Sequence, residues 1–413
     1  MNRAVASPHT GTATSGAAFA HAPGTAYNLA VGYLRAFVTL LVVAHHSVLA
    51  YHPYAPPLAT TLVAQPRWWQ AFPVIDAQRW MGFSFFVGFN DIFFMALMFF
   101  LSGLFVFRSL EHKGVKTFLG DRLLRLGLPF VVAAAVIAPL AYYPAYLRTP
   151  SPTGISGFWQ QWMGLGNWPA GPAWFIWLLL AFDVVAAVLF ALAPRLVGRF
   201  ATSISKVSSR PIALYGLIVA LSAAAYIPLV FRVGPDRWSS FGPFTFQTGR
   251  PLHYFVYFLV AVGVGAYGLK QGLFASDGNL ARRWWLWVSA MFLCYFMVVA
   301  TFLAMLSGKS PWMHWPLLLA VAWVLSCAAS CFGFMSLFAR FATRRVAIFD
   351  SLTENAYGMY LVHYAFVSWL QYALLKLTLP GLAKGTLVTL ATIALSWATT
   401  AALRRIPAVA RVI

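Results

Sequence analysis

The amino-acid sequence predicts an all-α, polytopic transmembrane helix bundle. Of its 413 residues, 61% are hydrophobic and only 9% are charged, and the mean hydropathy is +0.74. Soluble domains typically carry about a quarter charged residues, so this chain has too few charges to cover its apolar surface in water. About ten apolar stretches also approach the length of roughly 20 residues that a helix needs to cross a bilayer.

We place the predicted spans near residues 27–50, 88–107, 127–147, 173–193, 211–231, 252–269, 284–306, 316–339, 356–378 and 386–403, joined by loops that are mostly short. No internal repeat is visible in the sequence, which counts against the inverted-repeat architecture of many transporters. We therefore predict one transmembrane domain over residues 27–404. A polar tail at 1–26 is expected to be disordered, and a short cytoplasmic tail follows at 405–413.

The distribution of charge predicts the orientation of the bundle. The formal net charge is +20, from 29 Lys and Arg against nine Asp and Glu. Loops on the side of the N-terminus are more basic than those opposite, so the positive-inside rule predicts that both termini are cytoplasmic. Nucleic-acid binding is excluded because no basic block stands apart from the apolar segments. The expected location is a bacterial inner membrane, with the bilayer as a partner.

The two long outer loops have a distinctive composition. Residues 51–80 and 148–172 are rich in Trp, Pro and Gly. One interpretation is an aromatic belt at the membrane interface. The other is a platform on which aromatic rings stack against sugar rings. The sequence leaves both open.

The first predicted helix contains Arg35, His45 and His46. Ionisable groups at membrane depth are costly and usually functional. Arg35 and His46 are eleven residues apart, so they share one helix face and lie about 16 Å apart along the axis. Arg35 suits a phosphate or carbonyl oxygen, and His46 suits a general base. The alternative is that Arg35 snorkels to the interface and His46 only packs.

Four further segments follow this pair along the chain. They are Phe99-Phe100-Leu101-Ser102-Gly103-Leu104, Arg122-x-x-Arg125-x-x-x-Pro129, Ala173-Trp174-Phe175-Ile176-Trp177, and the run from Asn355 to His363. Together with Arg35, ten intervening residues and His46, they resemble the acyltransferase-3 family of membrane O-acyltransferases over nearly all of the membrane part. Arg404 and Arg405 stand before Pro407 where many members have an acidic residue, which favours the glucan-modifying branch over the polysaccharide O-acetylases.

The resemblance implies a reaction and a set of site residues. An acyl group, acetyl or succinyl, would pass from cytoplasmic acyl-CoA to a hydroxyl of an extracytoplasmic glycan or glycolipid, with no bound cofactor and no metal. It implies His46 and Arg35 as catalytic residues, Arg122, Arg125 and Ser102 at the acyl donor, and Trp174, Tyr360 and His363 at the substrate. Arg35 could polarise the thioester carbonyl, and Ser102 is the candidate for an acyl-enzyme.

Several of these residues have a second interpretation. Arg122 and Arg125 could serve only as topology charges, and Tyr360 and His363 could form a packed, hydrogen-bonded pair. Asp183, a carboxylate deep in the fourth span, predicts either a structural partner or a proton-handling role. The rival function is a proton-coupled transporter or acyl-group carrier without chemistry of its own. A sensory or scaffolding membrane protein is a third interpretation.

Overall fold

The computed structural model describes residues 28–266, 268–269, 272–308 and 314–413. The tail predicted at 1–26 lies outside these residues. The helices are α1 Leu29–Val48, α2 Gly82–Gly103, α3 Val106–Arg122, α4 Leu128–Val132, α5 Ala138–Leu147, α6 Gly154–Met163, α7 Trp174–Leu192, α8 Pro194–Ser208, α9 Pro211–Val233, α10 Pro251–Gly265, α11 Asn279–Arg282, α12 Trp284–Ser307, α13 Trp315–Phe341, α14 Ala347–Ala373, α15 Gly381–Leu403 and α16 Pro407–Ala410. One antiparallel hairpin pairs β1, Trp238–Phe241, with β2, Phe244–Gln247.

The all-α, polytopic architecture predicted from composition is confirmed. Within the described part of the chain, eight helical segments are long and apolar enough to cross a membrane. The predicted spans at 252–269 and 356–378 correspond to α10 and α14, which fall short of those criteria. α10 has only 15 residues. α14 has 27 residues but is less apolar, because it carries inward-facing polar side chains such as His363 and Gln371.

The predicted span at 127–147 is the second half of a longer helical run, Val106–Leu147. Gly114 has a φ of 73°, and the helix axis changes direction there. Two π-helical turns, at Leu123–Gly127 and Ala133–Ile137, interrupt the run further along. Such turns occur often at functional sites, and the first of them contains Arg125.

Contacts at the helix ends assign the two faces of the bundle. Asn28, just before α1, donates from Nδ2 to Leu269 O at 3.1 Å, and Tyr33 donates to Asp350 Oδ1 at 2.9 Å near the start of α14. Arg404, at the end of α15, donates to Asn355 Oδ1 at 3.4 Å. Residue 28 and the C-terminal segment thus lie on one face, which we call the Asn28 face. This agrees with the predicted even number of passes.

The opposite face, which we call the Asp76 face, holds the long loops. Asp76 N donates to Ala50 O at 3.0 Å, and Trp80 N donates to Tyr51 O at 3.0 Å, so the loop folds back on the end of α1. The Trp residues here differ in burial: Trp69 and Trp162 are buried in a small core with Tyr142, Trp168 packs partly buried against that core, and Trp68, Trp80 and Trp159 are exposed. Only the exposed group could form a belt or a sugar platform.

α1 is the central helix of the bundle. It packs against α2, α13, α14 and α15, and most of its residues are buried. Two ring contacts fix its register: His45 stacks on Phe94 of α2 at 5.1 Å, and Tyr33 stacks on Phe349 of α14 at 5.2 Å. Any polar side chain of α1 therefore faces protein or an internal opening.

Candidate active site

The central feature of the site is a pair of histidines on α1 and α14. His46 Nδ1 lies 3.2 Å from His363 Nε2, and the ring centroids are 5.1 Å apart. His46 Nδ1 also lies 2.9 Å from Val42 O, and His363 Nδ1 lies 2.7 Å from Tyr360 O. His363 is fully buried, whereas His46 is partly exposed. The structure thus places the predicted substrate residue His363 directly behind the predicted base His46.

These contacts determine which ring nitrogens carry protons. Carbonyl oxygens only accept hydrogen bonds, so both Nδ1 atoms must be donors. The neutral His363 ring then presents the lone pair of Nε2 to the shared Nδ1–H of His46. This leaves His46 Nε2 unprotonated, and the structure records no partner for that atom within the described ranges. An oriented ring with a free basic nitrogen is what a general base requires.

Neighbouring side chains hold the pair in position. Gln371 Nε2 donates to the backbone oxygens of His46 and Ser47, at 3.0 Å each. The Tyr364 ring packs edge-on against His46 at 5.2 Å. Tyr360, also predicted at the substrate, donates its hydroxyl to Pro172 O just before α7. The α7 segment is therefore tied to the same helix turn that carries His363.

Arg35 lies on the same side of α1 as His46 but nearer the Asn28 face of the bundle. It is the only exposed residue of α1. Side chains on a helix lean toward its N-terminus, so the guanidinium extends away from His46. The eleven-residue spacing places the two Cα atoms about 16 Å apart along the axis, as the sequence predicts.

A layer of buried side chains separates Arg35 from His46 along α1. Thr39 and Val42, which lie between Arg35 and His46, are both buried. α1 and α14 run parallel, with His46 beside His363 and Tyr33 beside Asp350, so Tyr360 lies at the depth of Val43. α2 runs antiparallel to α1 with Phe94 beside His45, so Phe99 lies near the depth of Leu40. Phe99, Phe175 and Tyr360 are also buried, and their rings form a continuous row, with centroids 4.6 and 5.8 Å apart.

The predicted donor residues lie at the Asn28 half of the bundle. Arg122 Nε is 3.1 Å from Asp183 Oδ2, and the Arg122 guanidinium sits 4.9 Å from the centre of the Phe118 ring. Asp183 is almost fully buried, so Arg122 is its charge partner, as the structural interpretation of Asp183 predicts. Arg125 is exposed, and its backbone oxygen accepts from Tyr357 at 2.6 Å. Arg125 is therefore better placed than Arg122 to bind an external anion.

Ser102 and Trp174 occupy different parts of the site. Ser102 donates to Met98 O at 2.8 Å within its own helix, and the Cβ of a residue replacing Gly103 would meet the Phe258 backbone. This segment therefore allows close packing of α2 on α10. Trp174 lies near the Asp76 face, with ring centroids 5.8 Å from Trp238 and 6.1 Å from Tyr254.

Sequence reasoning missed two ion pairs, one fully buried and one with a single buried partner. Arg250 Nη2 lies 2.6 Å from Asp91 Oδ2, and Lys384 Nζ lies 2.6 Å from Asp76 Oδ2. Asp91 and Lys384 lie near the ends of apolar segments, and a charged residue there is normally expected at the membrane–water interface. The one available signal was that Asp91 and the adjacent Asn90 are polar residues within an otherwise apolar predicted helix.

Comparison with known proteins identifies the family of this chain. The model of the acyltransferase-3 family, described as an acyltransferase domain, matches residues 28–401. None of the curated proteins and none of the solved structures matches the chain.

Proposed function

Because the chain belongs to the acyltransferase-3 family over residues 28–401 and is therefore an acyltransferase, we propose that it moves an acetyl or succinyl group from cytoplasmic acyl-CoA to a hydroxyl of an extracytoplasmic glycan or glycolipid. The observation that carries the proposal is the partly exposed His46, with a free Nε2 and with His363 fixing its orientation. In this assignment the Asn28 face is cytoplasmic, and the Asp76 face receives the acceptor.

The chemistry uses His46 twice. Its Nε2 takes the proton of the acceptor hydroxyl as that oxygen attacks the thioester carbonyl. When the tetrahedral intermediate collapses, the carbon–sulfur bond breaks and the CoA thiolate takes the proton from His46. His363 keeps the His46 ring aligned throughout, because its Nε2 accepts from the His46 Nδ1–H. No acyl-enzyme is needed, which is consistent with Ser102 bonding within its own helix.

Arg35 acts on the donor in this scheme. Arg35 is exposed and lies on the Asn28 half of α1, and helical side chains lean toward the N-terminus, which for Arg35 is away from His46. It therefore binds a phosphate or carbonyl oxygen of the pantetheine arm rather than the thioester carbonyl beside His46. Arg125 supplies a second cation near the same face, where the nucleotide end of acyl-CoA would dock.

The test measures the products of the wild-type protein in detergent. Purified protein is incubated with labelled acetyl-CoA or succinyl-CoA, with and without cellopentaose as a glucan probe. We expect free CoA and acylated oligosaccharide in equal amounts with one donor. A carrier without chemistry would leave the acyl-CoA intact, and that result with both donors would contradict the proposal.

A further inference from the structure

A second polar cluster lies on the Asp76 side of His46. The Asp91 cluster, as we call it, consists of Asn90, Asp91, Arg250, Tyr254 and Trp174. Arg250 donates from Nη2 to Asp91 Oδ2 at 2.6 Å and from Nη1 to Asp91 O at 3.1 Å. The Arg250 side chain is only 5% exposed, whereas the Asp91 side chain is 45% exposed. One partner of this ion pair is thus buried in the bundle while the other faces an opening.

We expect that opening to contain water rather than lipid tails. An ionised carboxylate inside a membrane protein faces the bundle interior or a water-filled cavity. Arg250 occupies only Oδ2, and no partner is recorded for Oδ1 in the described part of the chain. The adjacent Asn90 is 1% exposed, and neither its Oδ1 nor its Nδ2 has a hydrogen-bond partner among the described residues. Unpaired polar groups of this kind are costly unless a ligand or water pairs with them.

The cluster lies close to the depth of His46. His45 stacks on Phe94, and α1 and α2 run in opposite directions. Asp91 precedes Phe94 by three residues, so it lies about 3 Å nearer the Asp76 face than His46 does. Asp91 and His45 also interact electrostatically. A molecule that touches Asp91 therefore lies at nearly the same depth in the bundle as His46.

The aromatic rings of Tyr254 and Trp174 lie on the Arg250 side of the cluster. Tyr254 interacts with Arg250, and the Trp174 ring lies 6.1 Å from the Tyr254 ring. Trp174 in turn contacts Trp238, which is half exposed on the hairpin. A carboxylate and an amide beside aromatic faces match the chemistry of a sugar ring, which offers several hydroxyls and an apolar face.

We propose that the Asp91 cluster is a sugar-binding subsite, which hydrogen-bonds hydroxyls of the acceptor so that a neighbouring hydroxyl reaches His46. This inference rests on the proposed function and names positioning residues for its acceptor. Asp91 Oδ1 accepts from one hydroxyl, and the Asn90 amide donates to and accepts from the next. Arg250 acts through Asp91, since its guanidinium holds the carboxylate in place.

The test compares Michaelis constants for the two substrates. Acyl transfer to cellopentaose is measured for the wild type, Asp91→Asn and Asn90→Ala, with the donor that the wild type uses. Asp277→Asn, an exposed carboxylate on the Asn28 face, is the matched control. We expect the KM for cellopentaose to rise about 10-fold to 100-fold in Asp91→Asn, because a hydrogen bond to a charged group is lost. The KM for acyl-CoA should stay within about twofold.

Asn90→Ala keeps the proposal testable if Asp91→Asn does not fold, because the Asn90 side chain makes no hydrogen bond to the residues that the structure describes. It should also raise the KM for cellopentaose. Folded variants with a wild-type acceptor KM, or with both KM values raised equally, would overturn the subsite while leaving the proposed function intact. A wild-type protein that acylates nothing would overturn the proposed function, and the subsite with it.

Discussion

Replacing His46 with Ala should lower the rate of acyl transfer by about 100-fold to 10,000-fold, the usual contribution of a general base. The variant removes His46 Nε2, a partly exposed ring nitrogen that is unprotonated and has no recorded partner within the described residues. The neighbouring His45 also has a ring nitrogen without a hydrogen-bond partner, but His45 is buried. His363 lies behind His46 and is fully buried, so we do not expect its Nε2 to reach the acceptor hydroxyl in place of His46. The measurement is kcat for formation of acylated cellopentaose by protein of verified folding.

Two companion variants make this result specific. His46→Gln keeps most of the volume but lacks a basic nitrogen, so it should lose activity to a similar degree. His314→Ala removes an exposed histidine on the Asp76 face and should behave as the wild type. A His46→Ala protein with near-normal transfer would exclude the general-base role.

Replacing Lys384 with Met should destabilise the fold by about 3–5 kcal/mol, the cost of leaving a buried charge without its partner. Lys384 is 0% exposed and Asp76 is 2% exposed, and their charged atoms are 2.6 Å apart. Asp76 also accepts from Gln78 N at 2.8 Å, so this carboxylate ties the long loop to α15. The free energy of unfolding, measured by denaturant titration in detergent micelles, gives the comparison.

Lys113→Met provides the matched control. Its pair with Asp121 is 2.5 Å long but both side chains are about two-fifths exposed, so its loss should cost under about 1 kcal/mol. The double variant Asp76→Asn with Lys384→Met should recover part of the lost stability, because no buried charge remains. Equal stability of Lys384→Met and Lys113→Met would show that the buried pair contributes little.

The parts of the site that the sequence could predict are those encoded within one helix. The spacing of Arg35 and His46 follows from helix periodicity, and α1 is indeed one uninterrupted helix. The pairing of His46 with His363 joins residues 317 positions apart, and no local pattern encodes such a contact. The same holds for Asp91 and Arg250, 159 positions apart.

Local composition also misjudged where some polar residues lie. α14 falls below the hydropathy of the other spans because it turns His363, Gln371 and Ser368 inward. Two of the loop Trp residues are buried in a small core because the Asp76-face loops fold back on the bundle. In both cases tertiary packing decides what an amphipathic or aromatic segment contacts.

The closed layer between Arg35 and His46 has a consequence for the reaction. Thr39, Val42, Phe99, Phe175 and Tyr360 are all buried, so a donor held at Arg35 does not reach His46 in this arrangement. We expect the pantetheine arm to enter by displacing the apolar side chains of Val42, Phe99 and Phe175, which can rearrange without leaving polar groups unpaired. Tyr360 differs, because its hydroxyl donates to Pro172 O. The layer would keep the two sides of the membrane separate until both substrates are bound.

The most direct test of this account is acyl transfer across a sealed membrane. Proteoliposomes are loaded with cellopentaose, and labelled acyl-CoA is added outside, with His46→Ala vesicles in parallel. We predict label on the enclosed oligosaccharide in wild-type vesicles, with an equal amount of CoA released outside, and almost none of either for His46→Ala. Label that appears on oligosaccharide only when donor and acceptor share one side, or intact acyl-CoA that accumulates inside, would contradict it.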